Sequence, residues 1–581
     1  MSPAKRIRTV VMLLVFAFAF SILTVGSYIQ QSATGDEPGH LVEGYAALTL
    51  GDYRVDPEHP PLLRMWAALP LLAMSHIDFD TNSVYWPRFD RLAFSHEFYY
   101  EKNDGDRLLY PARFMIVILG LVLGVFVFRW AQELYGFWPA VIVLALYTTE
   151  PNMLAHASLV TTDMGVTCFM FGALYFLWRT CRRLTIPNGL LFVALFALAQ
   201  VGKFSALTLW PMMAALFLVR ILRSEPWAYD FGSQREIVSR KGKMLAALSI
   251  AAVLVVTCYI AMWAVYDFRY APAPKGSGLL SLHTNPNTFQ HPPRFTGILN
   301  WIDKHHWLPS ICTQGFLLGQ GLGQEHPTYL AGHINETGWW YYFPVAFAIK
   351  TPIALLLLFG SGLVLVGVRR EGFWARDIFL LVPPMLYGVA AMTQNLNIGL
   401  RHILPIYPFV LLLAGRAVQE LWLQRRRALH VMLGALCLLQ VDEVAFVYPH
   451  FLSFFNQFIG GPRNGYKYLA DSNIDWGQDL KGLKKWMDNN GVRAINLSYF
   501  GIADPAYYGI NCSYLYPSPF FAEGRDTHLR LPGYVAVSVQ NLLGLSTNPP
   551  RPDLYKKLLE SEPVAVIGYS IRIYWVEKPW R

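Results

Sequence analysis

Charge is scarce in this chain. Asp, Glu, Lys and Arg make up 15% of its 581 residues against 54% hydrophobic ones, a balance that excludes both a disordered chain and an ordinary soluble domain. Cysteine is scarcer: there are six, Cys168, Cys258 and Cys437 lie inside apolar runs, and no Cys-x-x-Cys pair occurs. That excludes a disulfide framework and a zinc cluster, and leaves packing as their expected role. Several signature motifs are missing. Without HExxH, a P-loop, GxSxG or a GxGxxG between strand and helix, there is no basis for a zinc protease, a nucleotide triphosphatase, an α/β hydrolase or a dinucleotide enzyme. No repeat of fixed period and no low-complexity stretch occurs.

What is there is apolar sequence in long runs. They lie near 9-29, 111-131, 138-150, 164-180, 188-202, 205-222, 244-265, 342-367, 377-392, 402-419 and 428-447, with a shorter one near 62-75. Lys and Arg outnumber Asp and Glu 48 to 39, and in a membrane protein that excess belongs to cytoplasmic loops rather than to a nucleic-acid partner. The clusters Arg179/Arg182/Arg183, Arg220 to Lys243, Arg369/Arg370/Arg376 and Arg425/Arg426/Arg427, together with Lys5, Arg6 and Arg8, therefore act as parity checks. If 62-75 crosses, every later cluster falls outside; if it lies in the interface, all fall inside together. The second choice predicts a polytopic α-helical membrane protein of about eleven spans, N-terminus in and C-terminus out, its first helix uncleaved. Residues 1-447 form the membrane domain and 448-581 a small α/β domain outside it. There, 478-490 reads as a helix stopped by Gly491, followed by the strand-like runs INLSYFG, YVAVSVQ and VAVIGYS.

Three outer segments, about 30 to 110, 267 to 340 and 448 onward, are then the places for chemistry. The first opens with GDEPGHLVEGYAAL, an acidic pair before a proline, which is a helix start. Asp36 near the N-cap is held ionised by the helix dipole and free N–H groups and could take a proton from a hydroxyl; its rival role is capping alone. His40 and Glu43 share its face at i+4 and i+7. Next, in GDYRVDPEHPPLLRMW, Pro60 and Pro61 hold Glu58, His59 and Arg64 at the lipid boundary, where charge is costly unless something polar meets it. Asp163 returns to the outer face between two spans, with a helix cap as its rival role. Lys203 and the Arg401/His402 pair occupy further outer turns. Positive-inside bias makes outer cations unusual, so their convergence points to an anionic head group such as a phosphate. DSNIDWGQD imitates a calcium loop, but its glycine is one position late and Gly482 stands where the bidentate Glu belongs. No metal site is expected. Asn335, Asn496 and Asn511 open glycosylation sequons, a number that chance supplies in a chain this long.

With Asp36-Glu37 and His40 after the first span, HPPL at 59-62, an outer aspartate between the next two crossings and a lysine after the following pair, the chain resembles the GT-C class of membrane glycosyltransferases. More narrowly it is similar to the superfamily of protein O-mannosyltransferases and lipid A aminoarabinose transferases, which move a sugar from a polyprenyl-phosphate carrier to an acceptor outside the membrane. The match is best over the first 210 residues, with Trp339/Trp340/Tyr341/Tyr342 and RHILPIYP as weaker support. The resemblance implies Asp36 as catalytic base with Glu37 as its partner, and Asp163 as the second acid. It implies Glu58 and His59 at the carrier entrance and Lys203 and Arg401 on the phosphate, with Glu37, His40, Arg64 and His402 in the same binding set. HPPL is followed by Leu63-Arg64 where mannosyltransferases tend to carry Gly-Lys, and the extra lumenal domain of the eukaryotic enzymes is absent from the sequence, which favours a prokaryotic member.

Polyprenyl phosphate is already a good leaving group, so the chemistry asks for a base on the acceptor and cations on the phosphate in one inverting displacement, with no cofactor. The expected partners are the lipid-linked sugar, membrane lipid and a glycan, lipid or protein acceptor, at the plasma (inner) membrane. A transporter or flippase for a lipid-linked or anionic solute would also need boundary charges and many spans, but not the large outer loops or soluble tail. A membrane scaffold would explain the tail but not the polar cluster.

Overall fold

The computed structural model describes residues 3–86, 90–274, 295–324, 326–369, 372–424, 426–515, 527–545 and 552–578. Arg370 and Arg425 of the basic clusters lie outside them. Among the described residues eight helices of 19 to 31 residues are long and apolar enough to cross a membrane, so the chain is a polytopic helical membrane protein. Their ends are written locally. Asp104 caps the helix Gly105–Tyr135 by accepting from Arg107 N at 3.2 Å, and Gly136, at φ +89°, stops it where a side chain would be strained. Ser239 caps Arg240–Ala264 through Gly242 N at 3.0 Å.

Three further apolar helices are short, Leu62–Ala73, Phe137–Thr148 and Ile186–Gln200, and a bent pair, Tyr342–Lys350 and Ile353–Val368, turns by 117° at Thr351-Pro352. Leu62–Ala73 reaches about 18 Å at 1.5 Å per residue, against about 30 Å of hydrocarbon. Trp66 pins it near the start of Gly105–Tyr135 by donating to Met115 O at 2.8 Å. Asp163–Arg182 runs through the middle of the bundle, where Trp130, Phe171, Tyr175, Trp178 and Phe409 form a continuous buried aromatic cluster.

The tail contains a five-stranded sheet in the spatial order Cys512–Tyr514, Ile495–Ser498, Gly533–Ser538, Ile571–Val576, Ala565–Ile567. The first three strands are parallel, and Ile571–Val576 runs antiparallel to both its neighbours. Alternation sets its faces: Val535 and Val537 pack on Leu542, Tyr555 and Leu558, while Ala536 and Ile573 face the larger core. The helix expected over 478-490 is Leu480–Asn489, with Leu480, Leu483 and Met487 buried and Gly491 at φ +64° after it. The strands Cys512–Tyr514 and Ile571–Val576 were not expected. Nor was the small sheet of Arg183–Thr185, Trp227–Asp230 and Gln234–Ile237 at the far end of the bundle.

Candidate active site

A cavity of about 620 Å³ opens where the turns carrying Asp36, Glu58, Thr162, Lys203 and Arg401 converge at one end of the helices. His40, His59, Arg91 and His402 also line it, as do Gln320, Gln324, His326 and Gln394.

Four charged side chains form a relay along the cavity wall. Arg401 Nη1 lies 3.0 Å from Asp36 Oδ2 and 3.7 Å from Asp163 Oδ2, and Lys203 Nζ donates to Asp163 Oδ1 at 2.5 Å. The Asp36 carboxylate is 29% exposed, toward the cavity, whereas Asp163 is 3% exposed. Asp36 does stand at the N-cap of Glu37–Leu50, but its side chain makes no capping hydrogen bond. Arg401, not the helix N-terminus, is what pairs with it, so the capping role does not account for Asp36. Asp163 opens its own helix and likewise spends its carboxylate on Lys203 and Arg401. Around these groups His59 Nδ1, Arg401 Nε and His402 Nε2 are buried without a hydrogen-bond partner, which a bound oxyanion would remedy.

The electrostatics separate the cavity's acids. Burial would raise the Asp36 carboxyl, but the Arg401 guanidinium, with His40 and Arg91 adding to it, outweighs that and holds it down at about 2. Glu58 goes the other way. Burial first, and then the neighbouring Asp56 carboxylate, push it up to about 7. Burial, with Lys203 and His40 nearby, keeps His59 well below the usual histidine range, so its ring is neutral.

Two residues expected at the substrate are elsewhere. Glu37 is fully buried behind the wall: it pairs with Arg113 at 2.6 Å and accepts from Thr34 N and Val160 N, each at 2.8 Å. A carboxylate at the first turn of a helix found a long-range cation, and together they tie the Asp36 loop to Gly105–Tyr135 and to the turn before Asp163. Arg64, 1% exposed, pairs with Glu43 and lies 3.6 Å from Asp56, so it also serves the wall from behind. Asp36, His40, Glu58, His59, Lys203, Arg401 and His402 do line the cavity, with Asp163 just beneath.

Sequence reading missed Arg91, which holds Asp56 at 2.9 Å and Glu58 at 3.7 Å, and Trp476, whose ring lies 4.2 Å from the Arg401 guanidinium. Both sit far in sequence from what they touch, so no local spacing could reveal them. The carboxylates of the calcium-like stretch are otherwise engaged: Asp475 accepts from Gln540 N at 3.0 Å, and Asp479 meets His450 at 3.1 Å and Ser570 at 2.6 Å. Among the described residues no group of three or more His, Cys, Asp or Glu is placed to hold a metal ion.

Residues 105–263, which include Asp163 and Lys203, match the model of the family described as Dolichyl-phosphate-mannose-protein mannosyltransferase. This match bears out the resemblance read from the residues. No curated protein matches the sequence. Among solved structures the chain is similar to ArnT from Cupriavidus metallidurans bound to undecaprenyl phosphate, at 12% identity and a TM-score of 0.41 over 97% of each chain. It is also similar to the archaeal oligosaccharyltransferase AglB from Archaeoglobus fulgidus in complex with an inhibitory peptide and a dolichol-phosphate. That likeness has 14% identity and a TM-score of 0.45, over 93% of this chain and 70% of the other.

Proposed function

From the family match and the geometry of the cavity, we infer that the chain is a membrane glycosyltransferase that takes its sugar from a polyprenyl-phosphate carrier and gives it to a hydroxyl acceptor. The observation that carries the reading is the juxtaposition of a cavity-facing carboxylate, Asp36, with Arg401 and Lys203 at the mouth of a bundle of apolar helices. Asp36 takes the acceptor's hydroxyl proton while that oxygen attacks the anomeric carbon. The bond from that carbon to the phosphate breaks, its electron pair stays on the phosphate, and Arg401 and Lys203 stabilise the charge. Paired with Arg401 alone, Asp36 is a weak base. An anionic phosphate that shares Arg401 raises the basicity of Asp36 just when an acceptor needs it. Base and cations come from the chain itself, and this reading assigns no step to a cofactor. Incubating the purified protein with radiolabelled polyprenyl-phosphate sugars tests it: release of free carrier supports the reading, and none with any carrier sugar ends it. The transporter alternative has no use for a base beside the phosphate cations.

Lys203→Ala is expected to weaken binding of polyprenyl phosphate roughly 10- to 100-fold, as loss of one charged hydrogen bond does, and Lys203→Arg to retain most of it. Calorimetry in detergent would read this, and an unchanged Kd for the alanine variant would remove Lys203 from the phosphate site.

The eleven-span count is supported by the cluster itself. Asp36, Asp163, Lys203, Arg401 and Trp476 meet, so the chain between any two of them must cross an even number of times. Between Asp36 and Asp163 the long helix Gly105–Tyr135 needs a return, which Phe137–Thr148 provides together with the helix Pro151–Ala157 that follows it. Asp163–Arg182 needs Ile186–Gln200, and the three long helices between Lys203 and Arg401 need the bent pair at 342–368. Leu62–Ala73 then lies in the interface. Arg179 and Arg182, Arg220 and Arg223, and Arg426 and Arg427 all fall at the end opposite the cavity, which supports an extracytoplasmic site at the plasma membrane, a cytoplasmic N-terminus and 448–581 as the outer domain. Single cysteines at Arg427 and Lys485 in a cysteine-free background should label from opposite sides; labelling from one side would break the parity.

A further inference from the structure

The stretch that imitates a calcium loop is left without a role by the transfer reading, yet it touches both halves of the relay. On one side it grips the loop that carries Asp36: Gly35 N donates to Trp476 O at 3.0 Å, and Ser32 donates through its N to Gln478 O and through its Oγ to Gly477 O, each at 2.9 Å. On the other it grips the turn that carries Arg401. Ser472 Oγ donates to Ile398 O at 3.0 Å, and Leu400 N donates to Asn473 Oδ1 at 3.0 Å. Between the two grips the Trp476 ring, 3% exposed, lies under the Arg401 guanidinium.

We propose that 471–478 is a clamp that sets Arg401 against Asp36, with Trp476 as its positioning residue; the proposal rests on the transfer reading for its effect on rate. The indole lies against the flat face of the Arg401 guanidinium, which fixes the plane of the group and leaves its in-plane N–H donors for Asp36 and the phosphate. Fit is close on both sides: a Cβ on Gly399 would collide with Ser472 Oγ, and one on Gly35 would come within 3.2 Å of Trp476 Nε1. The clamp is itself anchored from the bundle and the tail, by Lys350 Nζ on Asn473 O at 2.5 Å and Gln540 N on Asp475 Oδ2 at 3.0 Å. Trp476 stands behind Arg401 rather than in the cavity wall, so it acts through Arg401 and not on the substrate.

Trp476→Phe and Trp476→Leu, in the full-length protein, separate a ring platform from apolar filling. Phe should transfer within about threefold of the unaltered rate, since a smaller ring still offers a face to the cation. Leu should transfer roughly 10- to 100-fold more slowly, since small displacements of a positioned group cost that much. Equal rates for the two variants would overturn the clamp; Trp476→Met replaces Leu if the latter does not insert. A readout free of the transfer reading is the thermal unfolding of Trp476→Leu, Arg401→Gln and the double variant. A double-variant loss in Tm smaller than the two single losses combined supports the clamp, even if the unaltered protein transfers no sugar and the functional reading falls. Additive losses overturn it whatever the activity.

Discussion

Asp36→Asn in folded, membrane-inserted protein is expected to transfer sugar about 10²- to 10⁴-fold more slowly than the unaltered chain, the usual cost of losing a positioned base, while still binding the carrier. The amide keeps the shape of the side chain and its contact with Arg401 but cannot take a proton. Because Arg401 holds the Asp36 carboxyl down at about 2, Asp36 is ionised throughout roughly pH 5 to 8. The sign follows directly: its lowered value puts loss of the ionised form far below neutral pH, so kcat/KM, which reports the free protein, should show no acid limb from Asp36 in that range. Transfer by Asp36→Asn at the unaltered rate would mean that another group is the base.

A second large effect belongs to a residue that touches no substrate. Glu37→Ala leaves Arg113 as an uncompensated buried cation, both side chains being 0% exposed, and breaking such a pair costs about 3 to 5 kcal/mol. It also strips an acceptor from Thr34 N and Val160 N, the backbone groups that fix the turns before Asp36 and Asp163. Most of the variant should therefore fail to insert or should melt far below the parent. Glu37→Met combined with Arg113→Leu should recover part of the loss, because it removes both charges together. A Tm unchanged in Glu37→Ala, read by thermal unfolding in detergent, would show that the pair does not hold the site together. A phosphate contact by Glu37 would predict the reverse pattern, normal folding with weakened carrier binding.

How much was legible beforehand varies with the range of the interaction. Eleven apolar runs each correspond to a helix, the bent pair counting as one, because hydrocarbon demands internally bonded backbone and so leaves its mark on every residue of a span. The tail helix and its stop at Gly491 were legible for a similar reason, since period and cap are local. Strand pairing was less so: Cys512–Tyr514 is three residues long, too short for any alternation to announce it.

Within the site, the sequence by itself determined the kinds of group present. An acid at a helix start, a His beside two prolines, and cations on turns facing away from the basic clusters are each a local oddity, costly near hydrocarbon and so conspicuous there. Only the tertiary structure decided which of them meet. Asp36 and Arg401 are 365 residues apart, Glu37 and Arg113 76 apart, and which acid takes which cation depends on how the helices pack. Glu37 and Asp36 are adjacent and chemically alike, yet one faces the bundle and the other the cavity, because successive residues at a helix start point about 100° apart and only one direction leads to open space.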